Sequence, residues 1–128
     1  MTDPVFLRGD QVLELHRISL EQYGGQDGLR DLAAFESAVA HPQNIWFYAQ
    51  GDIFDVAAGY AFHLAQSQCF LDGNKRTGMA SAIAFLVLNG EAVHTRTEVL
   101  YEAMIAIAER RSGKIELAAL FRRICEKT

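Results

Sequence analysis

The sequence predicts an all-α fold, and three observations carry that reading. Apolar residues recur at helical spacing in successive segments, residues suited to helix capping open those segments, and glycine-containing pairs close several of them. With 128 residues, 50% of them hydrophobic, the chain has the size of one domain able to bury a substantial core.

Taken in order, Asp10 can cap a first helix that runs to Tyr23, where Gly24-Gly25 ends it. Asp31 can start a second, expected to stop before Pro42 because an interior proline removes a backbone donor. The stretch from Gln43 to Gly51 places Ile45, Trp46, Phe47 and Tyr48 close together without convincing caps, so it reads as an aromatic connector. From Asp52 to Ser67, Phe54, Val56, Ala57, Ala58, Ala61, Phe62, Leu64 and Ala65 fall at helical spacing and predict a buried helix. A fourth run from Arg76 to Leu88 is nearly apolar all round and stops at Asn89-Gly90, which predicts the central helix of the core. Thr97 can cap a fifth helix through Arg111, Ser112-Gly113 breaks it, and Lys114 to Glu126 forms a sixth.

Bulk properties narrow the function classes. The net charge is −4 and basic residues are scattered apart from the pairs Lys75-Arg76, Arg110-Arg111 and Arg122-Arg123, which argues against broad nucleic-acid binding. Two cysteines far apart, with neither a signal peptide nor an apolar run of membrane length, fit a reducing cytoplasm and no membrane partner.

The chemistry concentrates between the third and fourth helices, in Gln68-Cys69-Phe70-Leu71-Asp72-Gly73-Asn74-Lys75-Arg76-Thr77. Asp72-Gly73-Asn74 favours a tight turn, which brings Asn74, Lys75 and Arg76 to the first turn of the following helix. Free backbone N–H groups and the positive end of the helix dipole gather there and attract anions. Arg76 can fork onto a phosphate, Lys75 adds a mobile charge, Asn74 offers a neutral donor, and Gly73 lets a ligand approach the backbone. Asp72 would repel that anion alone, but suits a divalent ion bridging phosphates. The same residues also fit a plain cap, with Asp72 or Asn74 as N-cap and Lys75 and Arg76 as surface charges.

This loop resembles the signature of the Fic/Doc family, which reads His, any residue, Phe, any residue, Asp or Glu, Gly or Ala, Asn, Gly or Lys, Arg; Phe70, Asp72, Gly73, Asn74, Lys75 and Arg76 match it. The likeness extends to Tyr23-Gly24-Gly25, Gly28-Leu29-Arg30-Asp31, Glu36-Ser37-Ala38 and Ala61-Phe62-His63-Leu64-Ala65-Gln66, which are similar to Doc-like (death-on-curing) sequences. The resemblance implies a compact helical bundle over residues 1–128, with a flap between Gln43 and Gly51 that docks a target segment, unless those aromatics simply close the core. It also implies transfer of part of a nucleoside triphosphate, with ATP as substrate and magnesium as the ion, to a protein hydroxyl. Lysine at position 75 is the Doc pattern, for which the implied reaction is phosphate transfer to a threonine of translation elongation factor Tu; glycine there is usual in AMP-transferring relatives. A Phd-like antitoxin acting in trans is the implied partner.

Gln68 stands where the family motif carries His, the base that takes the proton from the attacking hydroxyl. An amide has no accessible basic form, so its presence is expected to cost roughly 10²–10⁴ in rate. The expected site is therefore Gln68, Asp72 and Lys75 around the reaction, Gly73, Asn74, Lys75 and Arg76 on the phosphates, and Asp72 on the metal. The alternatives are a nucleotidyl transferase and an inactive, antitoxin-binding module. His63 lies five positions before Gln68, about 140° around a helix, and is expected to point away from the loop. Cys69 reads as structural, since no histidine neighbours it. His16, His41 and His94 show no metal-ligand spacing. The self-inhibition pattern of the family, Ser or Thr, three residues, Glu, then Gly or Asn, comes nearest at Ser112 to Glu116 and fails at Leu117.

Overall fold

A computed structural model of the protein describes residues 2–126. Six helices follow one another: α1 (Gly9–Tyr23), α2 (Leu32–Phe47), α3 (Ile53–Ser67), α4 (Asn74–Leu88), α5 (Thr97–Ala108) and α6 (Lys114–Ile124). The described residues form no strand; a lone antiparallel bridge joins Leu29 to Phe70. Helix α3 is the axis of the bundle, with α4, α2 and α6 packed around it and α1 and α5 flanking α4.

Small residues make that central position feasible. In α3, Val56, Ala57, Ala58, Gly59, Tyr60 and Ala61 are all buried. An ideal Cβ on Gly78 of α4 would lie 2.7 Å from the Ala61 carbonyl oxygen, so the two backbones approach more closely than any side chain allows. On the opposite side, a Cβ on Gly59 would meet Ile45 Cδ1 at 2.5 Å and Pro42 Cα at 3.6 Å. Asp52 caps α3 through the Phe54 and Asp55 N–H groups, and Arg122 of α6 bonds the Asp52 and Asp55 carboxylates at 3.0–3.2 Å.

Several element limits differ from the sequence expectation. Helix α2 does not stop before Pro42 but continues through it to Phe47. The missing proline donor costs one helical bond, while the buried ring packs against the Gly59 surface of α3 and offsets that loss. In consequence Gln43 to Gly51 comprises the end of α2 and a short turn. Its aromatics fix the N-terminal segment, with Trp46 Nε1 donating to Asp3 at 2.9 Å and Phe47 5.8 Å from Phe6 between ring centroids. Asp10 lies inside the first turn of α1; Arg8 is the N-cap, and its N–H donates to Gln11 Oε1. Helix α4 begins at Asn74, so Asn74, Lys75 and Arg76 form its first turn as expected. Thr97 is the first residue of α5, not its cap, and α5 ends at Ala108 rather than Arg111, because Arg110 takes a left-handed φ of 61°. Helix α6 ends at Ile124, short of Glu126. Asp31 caps α2 as expected, accepting from Ala34 N at 3.0 Å.

His63 projects from α3 away from the loop, as expected. Lys114 Nζ donates to its Nε2 at 3.2 Å, and its ring lies 3.9 Å from that of His41. Burial, and then the neighbouring His41 and Lys114, lower its pKa from 6.5 to about 4. The native state thus holds fewer protons here than the unfolded chain between pH 4 and pH 6.5, so this group's contribution is complete above pH 6.5 and declines as the solution is acidified. His63→Gln, which keeps a neutral acceptor for Lys114, is expected to lose less stability than the wild type between pH 7 and pH 5 in urea titrations. Gly78→Ala is expected to cost about 1–3 kcal/mol in the same assay, because the Ala61 carbonyl cannot yield without moving α3.

Candidate functional site

The loop between α3 and α4 is fastened from three directions. Helix α3 ends at Gln68, which adopts a left-handed conformation (φ 48°) and turns the chain sharply, with its side chain exposed. Cys69 and Phe70 then enter the core, and burial raises the Cys69 thiol pKa, in keeping with a structural role. The segment after α1 runs alongside: Arg30 N and Asp31 N donate to the Cys69 carbonyl at 2.7 and 3.2 Å, and Leu71 N donates to the Gly28 carbonyl at 3.0 Å. This backbone pairing holds the loop from outside.

Asn74 holds it from within. Its Oδ1 accepts from Phe70 N at 2.9 Å and its Nδ2 donates to the Phe70 carbonyl at 3.0 Å, so one amide satisfies both polar groups of a buried residue. Of the Asn74 amide, the second hydrogen alone is left for a ligand. Neither Asn74 nor Asp72 caps α4. The N-cap is Gly73, in a left-handed conformation (φ 81°), and no side chain bonds the first turn. Asp72 instead accepts from Gln26 N through Oδ2 at 2.7 Å. The plain-cap reading is thereby excluded, and the amides that open α4 are left without a side-chain partner.

Arg76 lies across this end of the helix. Its guanidinium carbon is 5.2 Å from the Tyr23 ring centroid and its Nη2 donates to the Gly24 carbonyl at 3.1 Å, while Nε is buried without a partner. Gly25 permits the approach: its φ is +122°, and a Cβ would lie 3.1 Å from Asp72 Cβ. Lys75 is exposed. Gln68, Asp72, Gly73, Asn74, Lys75 and Arg76 share the wall of one cleft of about 1310 Å³, which continues as an apolar trough between α1, α4 and α5 past Leu15, Ile18, Met79, Ile83 and Met104. Glu116, the nearest match to a self-inhibitory glutamate, is engaged elsewhere, accepting from Gly113 N at the start of α6.

Sequence reasoning missed His16. It is 3% exposed, its ring stacks on Phe70 with centroids 3.8 Å apart, and its Nε2 bonds the Asp72 carbonyl at 2.8 Å. No metal-ligand or catalytic spacing marks it, because its partners lie on a different element.

A family model described as "Fic/DOC family" matches residues 6–86, which takes in α1 to α3, the whole loop and α4 as far as Leu86. The chain belongs to the Fic/Doc family. Two relatives agree: "Protein kinase doc" of Escherichia phage P1 is 33% identical over 91 residues, covering 70% of this chain and 72% of that protein. "Toxin Doc" of Mycolicibacterium smegmatis is 39% identical over 70 residues, 53% of this chain and 54% of its own length.

Because Asn74 serves the N–H and the carbonyl of a buried residue at once, Asn74→Ala in this Fic/Doc loop leaves both unpaired. A destabilisation of about 1–3 kcal/mol is expected, measured by urea unfolding, with faster amide exchange at Phe70.

Proposed function

We propose that the chain is a Doc-type toxin of a toxin–antitoxin system whose cleft binds ATP with magnesium for phosphate transfer to a protein hydroxyl. The observation that carries this reading is the uncapped start of α4, where Gly73 supplies the turn and Arg76 lies alongside. A helix N-terminus with free amides and an adjacent guanidinium stabilises clustered negative charge. The residues present fit nucleotide and ion. The buried Arg76 Nε lacks an acceptor, and Asp72 has one carboxylate oxygen on Gln26 N, with the other available to a cation. Magnesium is commonly held by one or two carboxylates together with substrate phosphates, which suits a lone Asp72.

When bound, magnesium would neutralise charge on the phosphates. The chain's own groups do the rest: the α4 amides and Arg76 orient the phosphates, Lys75 offsets charge on the transferred group, and Gln68 faces the same cleft as a hydrogen-bonding amide. Gln68 accepts no proton, so the hydroxyl attacks the terminal phosphorus without a general base, its proton passing to water as the bond to the departing nucleoside diphosphate breaks, and turnover is slower by roughly 10²–10⁴ than with histidine at this position. The target assigned to this chemistry is a threonine of translation elongation factor Tu, and the restraining partner is a Phd-like antitoxin. The apolar trough leading from the site is a suitable seat for such a partner's helix. Lys75 disfavours AMP transfer, which would need the phosphates to lie against a glycine backbone.

The test pairs the wild type with Gln68→His, each incubated with labelled ATP, magnesium and elongation factor Tu, and reads the intact mass of the target. A phosphate-sized gain is expected with Gln68→His, at least 10²-fold faster than with the wild type. An AMP-sized gain would instead establish nucleotidyl transfer, and equal rates in both proteins would overturn the role given to position 68. Loss of ATP binding in Arg76→Ala is expected alongside.

A further inference from the structure

The buried histidine of α1 is unused by the chemistry above. Its geometry is nonetheless specific. Asp72 offers a backbone carbonyl, which only accepts, so His16 Nε2 must carry the hydrogen. The ring plane lies 9° from that of Phe70, so the histidine simultaneously buttresses the motif phenylalanine and fixes the following turn. An ideal Cβ at Gly73 would also come within 3.6 Å of His16 Cδ2, which places the ring directly under the residue that caps α4.

We propose that His16 is a positioning residue for the phosphate site, acting through the Asp72–Gly73 peptide. A trans peptide holds its C=O and N–H antiparallel, so the bond from His16 to the Asp72 carbonyl fixes the direction of the Gly73 N–H. Among the described residues that N–H donates to no protein group, and it adjoins the uncapped amides of α4. The same bond sets the root of the Asp72 side chain, whose carboxylate is steered from its other end by Gln26 N. Two restraints from separate segments, one on the carbonyl and one on the carboxylate, thus leave Asp72 a single orientation. A phenylalanine at position 16 would retain the stack and lose the donor, whereas a glutamine can return an N–H to nearly the same point without the ring.

The inference rests on the nucleotide reading for its consequence but not for its geometry, and the experiment separates the two. Amide hydrogen exchange across residues 70–74 and calorimetric affinity for magnesium-ATP are measured in the wild type, His16→Phe, His16→Gln and Arg76→Ala. In His16→Phe, exchange at Phe70 and Leu71, whose N–H groups bond Asn74 Oδ1 and the Gly28 carbonyl, is expected to rise and affinity to fall roughly three- to tenfold, the worth of one hydrogen bond, with His16→Gln returning both toward wild type. Unchanged exchange in His16→Phe would overturn the proposal. So would raised exchange with wild-type affinity, or a larger loss in His16→Gln than in His16→Phe, which would mark the ring as packing alone. If the wild type binds no magnesium-ATP, the nucleotide reading fails, and the exchange comparison by itself decides whether His16 holds the turn.

Discussion

The close approach of α4 to α3 at Gly78 is the constraint on which the rest depends. With no side chain between Gly78 and the Ala61 carbonyl, the two central helices lie nearly backbone to backbone, and the loop that joins them must reverse within a few residues. That reversal is achieved by two left-handed residues, Gln68 at the end of α3 and Gly73 at the start of α4. The loop is therefore tight, and its polar groups cannot all be satisfied by its own backbone. They are satisfied instead by Asn74, by His16 and by the segment around Gly28 to Asp31, so helix packing and site geometry are parts of one arrangement.

This division of labour explains which motif residues reach the cleft. Phe70 anchors in the core, Asn74 braces the backbone, and Gly73 supplies a conformation that a side chain would strain, so these three are spent largely on shape. Lys75, Arg76, Asp72 and Gln68 line the same cleft without such a structural task for the loop backbone. Arg76 is held in place there, lying over Tyr23 and bonded to Gly24, so its side chain has little conformational freedom left to lose.

Much of this was legible in the sequence, for identifiable reasons. Helices α3 and α4 announce themselves by apolar runs with local punctuation, and Asp31 and Asp52 cap by bonds to residues two or three positions away. The glycine-rich turn and its charges likewise sit within ten consecutive residues. Pro42 misled because local propensity forbids what burial against α3 stabilises. His16 was unreadable since its partner is 56 residues distant, and Asn74 because its bonds run back into the loop instead of forward to a ligand.

The bonds from Arg122 to Asp52 span 70 residues of sequence, and His94 N likewise meets the Ile124 carbonyl. Helix α6 packs against α3. A chain emerging from the ribosome therefore lacks this contact until α6 has been made. Docking of α6 on α3 joins segments far apart in sequence, so it adds to the loop-closure cost that slows folding.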